Sequence, residues 1–141
     1  MSFVSITRLR LRSWRYLPMF MLYAFRSGRE AAKAEGNLAT QVLNDRNRTF
    51  WTATIWTTDG AMKKFMLAGA HREAMRKLLH WCDEAAVAHW TQESNDLPTW
   101  PEAHARLESE GRRSKVNHPS AAHMAHKFPE PRVGRANIRL K

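Results

Sequence analysis

The stretch RTFWTATIW, residues 48–56, constrains this chain most, because it is Thr, Ile, Phe and Trp almost throughout. Side chains of that kind fit a pleated strand. The period of two divides them into rows. Trp51, Ala53 and Ile55 share one face; Phe50, Thr52, Thr54 and Trp56 share the other. Both rows carry large aromatics, so both faces of the sheet need cover. Helices on one side alone would leave an aromatic row in water. The second cover must come from another chain or from the chain's own C-terminal segment.

The flanking sequence supplies the remaining elements. FVSITRLRLR alternates, with Phe3, Ser5, Thr7, Leu9 and Leu11 on one side and Val4, Ile6, Arg8, Arg10 and Arg12 on the other. It reads as a strand whose far end meets water on one side. Pro18 suits a first helical turn, so a helix is expected from Leu17 to about Glu35, with Leu17, Met21, Ala24, Gly28 and Ala31 along one stripe and Gly36 as its cap. Residues 37–44 alternate again as a second strand, and residues 45–48 form a polar turn into the third. Thr58 or Asp59 can cap a helix from near Gly60 that places Met62, Phe65 and Met66 inward. Gly69 interrupts it. A further helix is expected from Ala70 to about Asp83, then a fourth strand over residues 84–92. Strand, helix, strand, strand, helix, strand is the ferredoxin-like α+β order. It gives a domain over residues 1–92.

Residues 93–141 form an extension. TWPEAHARLESEG has room for one short helix, and residues 111–141 have three prolines and few apolar side chains. They read as an extended or disordered tail, partly wrapped on the domain. Of the net charge of +10, the tail carries +7, from eight Lys/Arg against one Glu. The domain itself is nearly balanced, so nucleic acid is not its expected partner. The longest apolar run, Leu17 to Phe25, is too short to span a bilayer, and no membrane partner is expected. The single cysteine, Cys82, excludes an internal disulfide framework and a multi-cysteine metal site, and points to the reducing cytoplasm.

LRLRSWRYLP, a helix, RTFWTATIW and TDGAMKKFMLAGAHREAM together resemble the spheroidene monooxygenase-like group, which is similar to the antibiotic-biosynthesis monooxygenase-like, dimeric α+β barrel proteins. The resemblance covers roughly residues 3 to 92. It implies a homodimer of ferredoxin-like chains with sheets packed face to face. It also implies a pocket between sheet and helices that serves oxygen chemistry on a hydrophobic small molecule, either cofactor-free or haem-dependent. Haem-degrading relatives use an aromatic from the helix after the third strand, a position that Phe65 resembles. They also use an Asn on the first strand, where this chain offers Ser5 and Thr7.

His71 carries the sharpest question. With Met75, Leu78 and Cys82 it falls on one helical stripe, and it lies in a first helical turn, where the positive helix end disfavours an imidazolium. A neutral imidazole facing an apolar pocket suits proton transfer or haem-iron ligation. The plain reading is a histidine bonded to a backbone carbonyl. The family's histidine after its small-residue pair falls at this position, so His71 is the expected catalytic group. Trp51, Trp56, Phe65 and Met75 are expected to shape the pocket, with Arg72 beside His71 as a further substrate contact. Trp51 and Trp56 read equally as packing residues. The histidines of HPSAAHMAH, His118, His123 and His126, have a spacing open to a metal, but no neighbouring carboxylate or cysteine supports one, and no metal is expected. The expected function is a monooxygenase-like activity. The alternatives are a homodimer that binds a small ligand, haem among the possibilities, without catalysis, and a nucleic-acid tether through the tail.

Overall fold

A computed structural model describes residues 1–131 and 137–140. Strand β1 (Ser2–Leu11) leads through a 3-10 turn (Trp14–Tyr16) to α1 (Leu17–Lys33), then β2 (Asn37–Asp45) and β3 (Thr49–Trp56). Helices α2 (Asp59–Met66) and α3 (Gly69–Trp81) precede β4 (Cys82–Gln92). The extension adds α4 (Trp100–Glu110), β5 (Arg112–Arg113), α5 (Ala121–Ala125) and β6 (Asn137–Arg139). The sheet runs β5-β4-β1-β3-β2-β6, antiparallel at every pairing. Its centre has the ferredoxin-like order expected from the sequence. No described helix is long and apolar enough to cross a membrane.

Local chemistry sets the element ends. The Ser13 hydroxyl caps the 3-10 turn, Thr58 caps α2 by accepting from the Ala61 amide, and Thr99 caps α4 by accepting from the Glu102 amide. Gly36, at φ +88°, turns α1 into β2, where a Cβ would lie 2.6 Å from that of Ala61.

Two helical stripes differ from expectation. In α1 the buried residues are Phe20, Tyr23, Gly28 and Ala31, while Met21 and Ala24 face water. The rings decide this rotation: Phe20 lies 4.6 Å from Phe50, and Tyr23 lies 5.8 Å from Trp81, centroid to centroid. Helix α3 ends at Trp81, and Cys82 already pairs with Leu11 as the first residue of β4. The inward side of α3 is therefore Ala74, Leu78 and Trp81. Met75 faces outward, 43% exposed.

The two faces of β3 are covered differently. The Phe50 and Trp56 row meets α1, α2 and α3. The Trp51, Ala53 and Ile55 row, with Val4, Ile6, Ala86, Ala88 and Trp90, meets Trp100, Ala103 and Leu107 of α4 and Phe128 beyond it. Of the two covers the sequence allows, the chain's own C-terminal segment is present, so burial of Trp51 needs no second chain. Gly111 lets the end of α4 approach β4 closely; a Cβ there would collide with the Leu107 carbonyl and lie 3.0 Å from that of Val87. Within the tail expected over 111–141, Val116, His123 and Phe128 are buried and β5 and β6 extend the sheet. Residues 132–136 and 141 of that tail lie outside the described residues.

The alternation of β1 puts Arg8 on the watery side, yet it is 3% exposed. Its Nη1 donates to Glu84 Oε1 at 2.6 Å, and its guanidinium lies 4.7 Å from the Phe128 ring centre. Arg10 and the Ser120 hydroxyl bond the other oxygen of Glu84, at 3.0 Å and 2.8 Å. Burial pushes the Glu84 carboxyl up, but the bonds from Arg8, Ser120 and Arg10 outweigh it and hold the group below the usual range. Removing one member of a buried pair strands the other. Glu84→Ala is expected to lower the unfolding free energy in urea by about 3–5 kcal/mol, and Arg8→Met/Glu84→Leu to restore much of it. An unchanged urea midpoint for Glu84→Ala would show that the pair holds nothing together.

Candidate functional site

The helix-facing side of the sheet is incompletely closed. On β1, Phe3, Ser5 and Thr7 are partly exposed, whereas Val4 and Ile6 on the opposite face are fully buried. The pairing sets these residues in rows. Phe3 lies between Trp56 and Thr91, Ser5 between Thr54 and His89, and Thr7 between Thr52 and Val87. Thr52, Val87 and His89 are partly exposed as well. Central strands are normally the best-sealed part of such a fold. Here they leave a row of hydroxyls, with His89 and Phe3, partly open to solvent. An open hollow of about 380 Å³ adjoins it, where Phe3 and Thr91 meet Thr57, Thr58 and Asp59.

Beside Phe3, Trp56 begins a stack. Trp56 lies 5.4 Å from Phe65 at an interplanar angle of 27°, and Phe65 lies 4.7 Å from the His71 ring. The Trp56 indole N–H donates to Thr54 Oγ1 at 2.8 Å, which fixes the ring on the sheet. His71 stands in the first turn of α3, with Nδ1 3.3 Å from the Met66 carbonyl oxygen. A carbonyl only accepts, so Nδ1 carries the proton and Nε2 keeps its lone pair. Burial lowers the His71 pKa, opposed by the Met66 carbonyl and by Glu30. The ring is thus a neutral imidazole with one basic nitrogen left for chemistry.

Sequence reasoning passes over His89. It shares the helix-facing side of β4 with Ala85 and Val87, and its ring lies 5.5 Å from Phe3. Phe3, Phe65 and Met66 pack against one cluster built on Trp56, Met62 and Ala31. His71 and His89 therefore flank the same apolar cluster. Burial lowers the His89 pKa, with help from Arg112 and Lys63. Its parity on β4 is the available signal, and parity alone does not separate a partly open residue from a packed one.

The structure brings His71, Phe65 and Trp56 together; it places the other three expected site residues elsewhere. Trp51 is on the opposite face, where its indole N–H donates to Asp45 Oδ2 at 3.1 Å and its ring lies 6.4 Å from Trp100. It packs against α4 instead of facing the other helices. Met75 and Arg72 are on the exposed side of α3. The tail histidines diverge. His123 Nδ1 accepts the Ala85 amide at 3.2 Å, His126 Nε2 lies 2.9 Å from the Leu107 carbonyl oxygen, and the His118 ring lies 6.2 Å from His80. Among the described residues, no three His, Cys, Asp or Glu side chains are grouped to hold a metal ion. Cys82 is buried, with its thiol pushed up to about 12 by burial and by Asp83, so it is not a nucleophile.

A family model described as Domain of unknown function (DUF3291) matches residues 23–135. No curated protein matches the sequence. Among solved structures, a Nitrosomonas europaea protein assigned as an antibiotic biosynthesis monooxygenase superposes with a TM-score of 0.60 at 10% identity, over 67% of this chain and 92% of that one. SnoaB of Streptomyces nogalater, a cofactor-independent oxygenase solved as a point mutant, gives 0.55 at 12% identity, over 67% and 95%. A Bacteroides thetaiotaomicron protein assigned as an antibiotic biosynthesis monooxygenase gives 0.58 at 13% identity, over 70% and 95%. At these identities the likeness is one of fold, and it is the fold expected from the resemblance.

The histidines also set a pH dependence. His71, His89 and His123 are all held below their ordinary value of 6.5, with burial the largest cause in each. The unfolded chain therefore binds more protons in the range below 6.5, and stability falls as pH drops through it. The loss tied to Glu84 comes at lower pH, because its carboxyl is held below the usual range. Thermal unfolding between about pH 7.5 and about pH 5 is expected to show a falling midpoint, opposed by Asp83, whose carboxyl burial pushes up. A flat profile there would contradict the burial of these rings.

Proposed function

This chain belongs to the DUF3291 family, and from that premise we propose a monooxygenase-like protein that oxidises a hydrophobic small molecule in the cleft between sheet and helices. The observation that carries the reading is the pairing of His71 Nδ1 with the Met66 carbonyl beside the Phe65 and Trp56 stack. It leaves Nε2 as a base at an apolar, aromatic surface. The names of the structural neighbours support the same reading, with SnoaB described as cofactor-independent.

In this reading the substrate carries an activated CH2 group. His71 Nε2 takes a proton from it, and the partly desolvated cleft holds the resulting carbanion against the aromatic stack. The carbanion reacts directly with dioxygen. One oxygen atom enters the substrate as a carbonyl and the other leaves as water with the two hydrogens, so CH2 and O2 become C=O and H2O with no external reductant. Ser5 and Thr7 supply hydroxyls for the substrate's polar atoms, and His89 is a second neutral imidazole at the other side of the cluster. The same free nitrogen fits haem, since a metal-ligating histidine commonly bonds a carbonyl through its other ring nitrogen. His71 would then hold the iron, and the bound haem would supply oxygen activation.

The homodimer implied by the resemblance is part of this proposal. Because α4 already covers the Trp51 face, a second copy would pack against the outside of that cover and not sheet to sheet. A cytoplasmic location is likewise proposed, on the strength of one cysteine in a protonated, buried state.

Oxygen uptake with an anthrone as probe is expected to fall by about 100-fold or more in His71→Ala, with folding unchanged. In a haem titration, a shifted Soret band lost in His71→Ala would select the haem-dependent form. Neither uptake nor a Soret shift in the wild type would leave a small-ligand binding protein without turnover.

A further inference from the structure

Helix α1 is apolar on two sides. Its inner side holds Phe20, Tyr23 and Ala31. Its outer side exposes Pro18, Met21, Leu22 and Phe25, spaced as one helical strip, with Leu22 51% and Phe25 57% exposed. Trp14, in the turn just before the helix, is 60% exposed. A surface helix normally keeps such a strip for something that covers it.

The charges around the strip are of one sign. Arg15 precedes it, and Arg26, Arg29 and Lys33 follow it along the helix. The Arg29 guanidinium lies 5.6 Å from the Phe25 ring centre, and that of Arg48 lies 5.7 Å from the Trp14 ring centre. The nearby acids point elsewhere. Glu30 lies against Gly69 at the start of α3, and Glu73 accepts from the Tyr23 hydroxyl at 2.9 Å on the α3 side. The surface is thus a convex helix with an apolar ridge and a cationic border.

We propose that the outer strip of α1, with Trp14, docks this protein on an anionic membrane surface. A bilayer accepts a convex ridge without a groove, buries Trp, Phe and Leu at the headgroup boundary, and pairs its phosphates and carboxylates with flanking arginines. A second copy meeting the same strip would set arginine against arginine. The docking is peripheral and revises the expectation of no membrane partner.

The test is co-sedimentation of the full chain with phosphatidylcholine vesicles, with and without about one third phosphatidylserine. Wild type is expected to bind the phosphatidylserine vesicles and to be released by salt. Leu22→Ser/Phe25→Ser and Arg26→Glu/Arg29→Glu change exposed side chains only, and each is expected to lower vesicle partitioning about tenfold or more. No binding of wild type at low salt would overturn the proposal. So would binding that Leu22→Ser/Phe25→Ser leaves intact, because the basic C-terminal segment would then account for it. Self-association abolished by Leu22→Ser/Phe25→Ser, without vesicle binding, would assign the strip to a second copy. Arg26→Glu/Arg29→Glu leaves every apolar side chain of the helix in place, so it reads the strip even if Leu22→Ser/Phe25→Ser fails to fold.

Discussion

The buried pair of Arg8 and Glu84 is the point on which the two halves of this chain meet. It joins the first strand to the fourth at 2.6 Å, and the same carboxylate takes the Ser120 hydroxyl from the C-terminal extension. The face of Phe128 completes the enclosure of the guanidinium. An ion pair so placed loses the solvation of both charges, and it persists only where further bonds satisfy the carboxylate. Here one of those bonds comes from Arg10 on the same strand and the other from Ser120, in a segment distant in sequence. The ion pair in the sheet is thus tied to the extension through Ser120 and Phe128, and the extension in turn covers Trp51 and Trp90.

That arrangement separates two duties between the faces of one sheet. The α4 face is closed by aromatic and aliphatic side chains and holds the Glu84 carboxylate and the Trp51 indole N–H in bonds. The opposite face keeps Ser5, Thr7, Thr52 and His89 partly in contact with solvent. Its helices lean on one another through Tyr23 and Glu73, and through Tyr23 and Trp81. A rigid, closed back and a half-open front allow side chains to be positioned without sealing the space before them.

Much of this is legible in the residues. RTFWTATIW specifies a strand with two covered faces because a period-two pattern with aromatics in both rows leaves few alternatives. The element order follows from prolines, glycines and capping hydroxyls. The rotation of α1 is not legible, because its apolar residues run almost all the way round, and only the Phe50 and Trp81 rings decide which of them turn inward. Arg8 is misread for a related reason: its partner Glu84 is 76 positions away, and alternation cannot see it. His71 is legible through resemblance and helix position, and Trp56 and Phe65 through their faces. Met75 reads as inward only when α3 is extended past its true end. His89 carries no mark beyond its place on β4.

The extension's role as cover also bears on how the protein is made. Residues 1–92 complete the four central strands and the three helices that pack beside them, while α4 and Phe128 are still to be synthesised. For that interval of several seconds, Val4, Ile6, Trp51 and Trp90 form a naked aromatic and aliphatic plane on a nascent chain. Arg8 and Glu84 are then still hydrated. Docking of α4 and Phe128 on that plane, and not closure of the central sheet, is therefore the event that completes the native state.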